Sequence, residues 1–171
     1  MKSFNSFKSL QEQSPEDLKF GEPSTKQYRV MRNPHEFLPV DSDQSLVSAP
    51  PSNSSDETRV ELMELQDRLE LEKDNEELLD KWDLDLLVPF VKYIKQNNLK
   101  YNKKTLDEIV NQSTIIILKQ KYQFNRPRPG QLAKAMDIPL ASLKSGTADS
   151  PAYPSGHSTQ SRLVALYLTG L

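Results

Sequence analysis

Residues 119–129 read Lys-Gln-Lys-Tyr-Gln-Phe-Asn-Arg-Pro-Arg-Pro, and residues 153–159 read Tyr-Pro-Ser-Gly-His-Ser-Thr. The first stretch closes a helical pattern in which Leu106, Ile109, Val110, Ser113, Ile116 and Ile117 recur at the spacing of a buried helix face. With Thr105 as its cap, the spacing predicts a helix from Thr105 to about Tyr122. Pro127 and Pro129 push the residues before them into extended backbone, so residues 125–129 must leave that helix as a loop carrying Arg126 and Arg128. Lys119 and Lys121 then stand at the C-terminal end of the helix, where the dipole favours positive charge. In the second stretch, Ser155 and Gly156 lie where a loop turns into the apolar run of Leu163, Val164, Leu166 and Tyr167. Their backbone N–H groups would point out of a helix N-terminus, a natural anion site. Lys and Arg bring fixed charge to such an anion, and Arg can grip two oxygens at once. His157 is of the residue type suited to hand a proton to a leaving oxygen.

Lys-x6-Arg-Pro followed by Pro-Ser-Gly-His is similar to the first two signature motifs of the type 2 phosphatidic acid phosphatase and vanadium haloperoxidase superfamily. Within it the chain most resembles the soluble bacterial class A acid phosphatases. The first motif fits twice, as Lys119 with Arg126-Pro127 and as Lys121 with Arg128-Pro129. The second register is preferred, because those phosphatases resemble this chain in carrying an extra Arg two residues before the motif Arg, which Arg126 matches. The resemblance implies an all-α helical bundle in which Lys121, Arg128, Ser155 and Gly156 bind phosphate, with Lys119 and Arg126 as alternates, and His157 is the general acid. It also implies metal-independent hydrolysis of a phosphorylated small molecule without a cofactor. Two alternatives accompany it: a vanadate-dependent haloperoxidase, in which vanadate would occupy the same residues, and a non-catalytic phosphate-binding or interaction protein.

The third family motif, Ser-Arg followed by His and then Asp, supplies the nucleophilic His, the Asp that orients it and a further clamp. Ser161-Arg162 has only its first two letters, and the one other histidine in the chain is His35. The expectation is a C-terminally incomplete member of the family, resembling it over about residues 75–171. Its last helix would present an unpaired apolar face open to self-association.

Composition narrows the class further. With 171 residues the chain has room for one ordinary domain, and 22 Lys+Arg against 24 Asp+Glu leave a net charge of −2. The charge is unevenly placed: residues 1–91 hold 10 basic and 20 acidic side chains, residues 92–171 hold 12 and 4, so the halves carry −10 and +8. An anion site explains part of the basic excess and the acidic half can meet the rest, so nucleic acid is not the expected partner. The absence of cysteine excludes disulfides and thiolate zinc sites. The longest apolar stretches, such as residues 163–168, fall well short of a membrane span, and residues 1–10 lack the continuous apolar core of a secretory signal. A soluble, cytoplasmic protein is expected.

Upstream, residues 1–55 contain Pro15, Pro23, Pro34, Pro39, Pro50 and Pro51 among Ser, Gln and acids, and are expected to be a flexible leader before a helical domain over residues 56–171. The cluster from Ser52 to Asp56 offers caps for a helix from Asp56 to Asp80 with Leu62, Leu65 and Leu69 on one stripe. A second helix from Trp82 to Gln96 would carry Leu84, Leu87, Val88, Val91 and Ile94, with Pro89 as a kink or break. After a polar connection over residues 97–102 and the long helix, a short helix is expected from Gln131 to Met136.

Overall fold

The computed structural model describes residues 14–170 apart from 37, 39, 72–74 and 142–144. The architecture is all-helical, with no strand among the described residues. After a 3-10 turn at Pro15–Asp17 come α1 (Thr25–Met31), α2 (Asp56–Leu71), α3 (Glu76–Leu84), α4 (Leu87–Gln96), α5 (Lys103–Phe124), α6 (Pro129–Ala135) and α7 (Gly156–Thr169). No described helix is long and apolar enough to cross a membrane.

The long helix α5 is the axis of the fold. It starts two residues before the expected Thr105, because Asn102 rather than Thr105 is the cap: the Asn102 side chain accepts from the Thr105 N–H at 3.4 Å. It ends at Asn125 in the left-handed region (φ 50°), whose N–H returns to the Lys121 carbonyl at 2.8 Å. Leu106 and Ile109 of α5, Ile94 of α4 and Val164 of α7 form the main core, flanked by Leu87, Phe90, Leu163 and Tyr167. A smaller core joins Leu62 of α2 to Leu132 and Ala133 of α6. The main cluster ties the helix that carries Lys121 to the helix that begins at Gly156, so the packing that builds the core also positions the two sequence motifs.

The short helix expected from Gln131 to Met136 runs from Pro129 to Ala135, and the two helices expected upstream of α5 depart further from their bounds. The first expected helix does begin at Asp56, capped by Ser55 accepting from the Thr58 N–H at 3.2 Å, but α2 closes at Leu71. The second is interrupted at Asp85, which is extended (φ −145°, ψ 97°) and accepts from the Leu87 N–H at 2.9 Å. Pro89 neither kinks nor breaks α4, because it is the third residue of the helix, where a missing N–H costs nothing.

Within residues 14–55, expected to belong to a flexible leader, the described residues make specific hydrogen bonds; residues 1–13 lie outside the described residues. Parts of this segment lie against α5, notably α1 and the backbone of Ser42, Gln44 and Leu46. Ser24 and Gln27 make a reciprocal capping box at the start of α1, with Ser24 N–H donating to Gln27 Oε1 at 2.7 Å and Gln27 N–H to Ser24 Oγ at 3.3 Å. Gln27 itself is buried: its Nε2 donates to the Asp149 carbonyl at 2.7 Å, and its Oε1 accepts from Tyr122 Oη at 3.0 Å. Further on, Gln120 is only 2% exposed and donates to the carbonyls of Ser42 (3.1 Å) and Gln44 (2.6 Å) while accepting from the Leu46 N–H at 2.8 Å. The prolines do prevent long helices here. The backbone is held instead by side-chain hydrogen bonds reaching out from α5, which satisfy irregular polar groups one by one and leave no periodic trace in composition.

Candidate functional site

The site is assembled from four parts of the chain that meet at the C-terminal half of α5. Lys121 faces inward on the last turns of that helix and is 6% exposed, with its ammonium donating to the Pro151 carbonyl. Burial lowers its pKa to about 8, the neighbouring Arg128 guanidinium pushes the same way, and Asp149 opposes both. Arg128 is the N-cap residue of α6. Its backbone N–H donates to Gln131 Oε1 at 2.9 Å and its Nε to the Ser150 carbonyl at 2.7 Å. The first bond holds the backbone and the second orients the guanidinium, whose Nη groups have no hydrogen-bond acceptor among the described residues. Burial lowers the Arg128 pKa from its ordinary value, although Asp149, Asp83 and Tyr122 counter it.

The loop 150–155 then carries the chain back to the N-terminus of α7. The Ala152 N–H pairs with the Arg126 carbonyl at 2.9 Å, and Tyr153 packs edge-on against Phe124 with ring centroids 5.4 Å apart. Ser155 is the N-cap: its Oγ accepts from the Ser158 N–H at 3.3 Å and its carbonyl from the Thr159 N–H at 3.1 Å. The N–H groups of Gly156 and His157 have no acceptor among the described residues, as expected of a first helical turn. Gly156 accommodates the approach of α5 at van der Waals distance: a Cβ there would sit 3.9 Å from Ile117 Cγ2.

Lys121, Arg128, Ser155, Gly156 and His157 line a single cavity of about 360 Å³. Three residues that sequence patterns did not single out complete its walls. Asp83, at the end of α3, accepts from Thr147 Oγ1 (2.5 Å), Ser145 Oγ (2.8 Å) and the Thr147 N–H (3.3 Å). Burial raises the Asp83 pKa, but the hydrogen bonds from Thr147 and Ser145 and the charge of His157 outweigh it, and the net shift is downward. His157 Nε2 donates to the Asp83 carbonyl at 2.9 Å and lies 3.8 Å from Asp83 Oδ1. An imidazolium at this position is therefore paired with a carboxylate through Nε2, leaving Nδ1–H as the proton it can give away. Asp149 and Lys26 are the other two additions, the latter from α1, so the N-terminal segment forms part of the wall. No motif announces them: Lys26 reaches the cavity through the packing of α1 on α5, Asp83 from the end of α3, and Asp149 from the loop before Ser150.

The alternate register is taken apart by the same geometry. Lys119 is two residues from Lys121, about 200° around the helix. Its Nζ points away to Ser42 Oγ (3.0 Å) and Asp43 Oδ1 (2.9 Å). Arg126 donates to the Pro51 carbonyl and, at 2.8 Å, to Thr58 Oγ1. The chain turns from the C-cap of α5 to the N-cap of α6 between the two arginines, so they diverge. Neither Lys119 nor Arg126 lines the cavity, and neither does His35, which is held by the Leu38 carbonyl (3.1 Å) and Ser42 Oγ (2.9 Å).

Comparisons of the chain with protein-family models, with curated proteins and with solved structures find no match in any of the three.

Proposed function

We propose that this cavity is the phosphoryl-binding site of a metal-independent phosphoric monoester hydrolase of the acid phosphatase type. The observation that carries the reading is the convergence of Lys121, Arg128 and the α7 N-terminus with His157 on one cavity, from positions up to 36 residues apart in the chain. In this reading the Arg128 Nη groups grip two phosphate oxygens, Lys121 neutralises a third, and the N–H groups of Gly156 and His157 complete the cradle. His157, held through Nε2 by Asp83, delivers the Nδ1 proton to the leaving oxygen. The attacking histidine of the family has no counterpart in the cavity wall, since His35 is engaged elsewhere. The same site without a nucleophile is a phosphate-binding site, and this is the second reading that the position of His35 favours.

The first test is saturable binding of inorganic phosphate and vanadate by the purified chain, alongside hydrolysis of p-nitrophenyl phosphate. Binding is the expected result, and its absence would remove both readings. Turnover that vanadate inhibits would favour the hydrolase, and binding without turnover the phosphate-binding protein.

A pH dependence follows from Lys121. A bound dianion favours the protonated amine, whereas the free site loses that proton at about pH 8. Below this pH the amine is already charged; above it, binding must take up a proton. Affinity for sulfate, whose own charge is constant, should fall about tenfold between pH 7 and pH 9 for one linked proton. Isothermal titration at the two pH values checks this, and an unchanged constant would take Lys121 out of the anion's contact shell.

A further inference from the structure

A second concentration of positive charge lies outside the cavity, where α4 turns into α5. Lys92, Lys95, Lys100, Lys103 and Lys104 are all exposed within thirteen residues. Lys103 and Lys104 occupy the first two positions of α5, with no acidic residue in that first turn. Cations are disfavoured at a helix N-terminus, so this placement works against local stability. Lys103 is partly answered by Asp107 at 2.7 Å, while Lys104 has no partner among the described residues. The same corner exposes apolar groups. Asn98 adopts a left-handed conformation (φ 52°) that turns the chain and leaves Leu99 51% exposed, and Tyr93 on the preceding turn is 61% exposed. Between the two helices runs a groove of about 500 Å³, with Leu87, Val88, Val91 and Leu106 along it and Lys92, Lys95 and Lys103 beside them; Asp85 and Asp107 also reach it.

We infer that this corner docks on the surface of a bilayer containing anionic phospholipids. The lysines meet headgroup phosphates, Leu99 and Tyr93 enter the interface, and the apolar groove accepts part of an acyl chain. Charge complementarity selects the occupant. Three lysines against two carboxylates line the groove and the exposed Lys100 and Lys104 extend the positive face beyond it, and an exposed aliphatic tip beside an apolar groove has a favourable environment in lipid but none on a nucleic acid. No arginine lies between Arg68 and Arg126, so the patch lacks the fork geometry with which proteins most often read bases. Attachment would be peripheral, since no described helix spans a membrane. The inference does not rest on the phosphoryl-binding reading of the cavity.

Co-sedimentation of the full chain with vesicles tests it, using phosphatidylcholine alone or with roughly one-third phosphatidylserine at about 0.1 M and 0.5 M salt. The chain should bind the anionic vesicles, bind neutral ones weakly and be released by salt. A Lys95→Gln, Lys100→Gln, Lys104→Gln variant should lose about a hundredfold in vesicle affinity, at about fivefold per charge. These side chains are exposed, so its thermal unfolding should match that of the parent. Leu99→Ser should reduce the binding that survives high salt. Equal binding to both vesicle types, or an unaffected triple variant, would overturn the inference. So would tighter binding to an RNA or DNA oligonucleotide that the triple variant abolishes, which would mark a nucleic-acid surface.

Discussion

Arg128→Ala is expected to lower phosphate and sulfate affinity by about a hundredfold or more while leaving the fold in place. Removing one positioned donor group from such a site typically costs about 3 to 4 kcal/mol of anion or transition-state stabilisation. Arg128 contributes its Nη groups and a half-buried charge, and its own anchoring is local: a backbone bond to Gln131 and an Nε bond to the Ser150 carbonyl. A second signature separates loss of the clamp from general disruption. Arg128 is one cause of the depressed Lys121 pKa, so without it Lys121 stays protonated to higher pH. The residual sulfate binding of the variant should weaken at a pH above 8, later than in the parent. Arg128→Lys, which keeps charge but not the two-point grip, should fall between the two. Titration calorimetry across pH measures both quantities. An Arg128→Ala chain that binds phosphate as tightly as the parent would end the proposal for this cavity.

Arg126→Ala is expected to do the opposite, costing stability and sparing the anion. Arg126 is 8% exposed, and its guanidinium joins the Pro51 carbonyl and Thr58 Oγ1, tying the segment before α2 to the end of α5. Truncation leaves the half-buried Pro51 carbonyl without this donor and removes one of the partners of the Thr58 hydroxyl, which is 1% exposed and keeps its bonds to Ser52 and Ser55; it also takes a cation from a region where Glu16, Glu57 and Glu61 supply the compensating charge. Breaking such an arrangement costs about 3 kcal/mol. For a chain of this length that is a fall in Tm of about 6 to 12 °C. Phosphate affinity should stay within about twofold of the parent. The two arginines stand two positions apart with the same Arg-Pro context, so the contrast tests the choice of register. If Arg126→Ala lost the anion and Arg128→Ala lost stability, the alternate pair of Lys119 and Arg126 would be the binding pair.

Much of the scaffold was legible in the residues. Apolar positions from Leu106 to Ile117 recur at helical spacing, and α5 forms there. Ser155 and Gly156 sit at a loop-to-helix boundary, and α7 begins at Gly156 with Ser155 as its cap. The prolines at 127 and 129 take the chain out of α5 and into α6, which starts at Pro129 itself. Bounds were missed where a side chain other than the expected one took the capping role, as Asn102 did in place of Thr105. The contacts of the N-terminal segment left no sequence signal for a different reason. Proline-rich composition reports that a segment cannot make long helices, and says nothing about glutamines on a distant helix that can hold its backbone in place.

The residues of the site divide along the same line. Sequence alone determined the kinds of chemistry present: fixed cations, a helix N-terminus and a histidine, each recognisable because helix ends, prolines and capping residues act on their near neighbours. Only the tertiary structure decided which of them share a cavity. Lys119 and Lys121 are indistinguishable as letters, but a rotation of about 200° sends one to Asp43 and the other inward to the Pro151 carbonyl beside Arg128. Asp83 reaches His157 from 74 residues away because α3 and α7 converge on the same end of the bundle. Such meetings depend on the summed packing of every helix between them, and no local pattern records that sum.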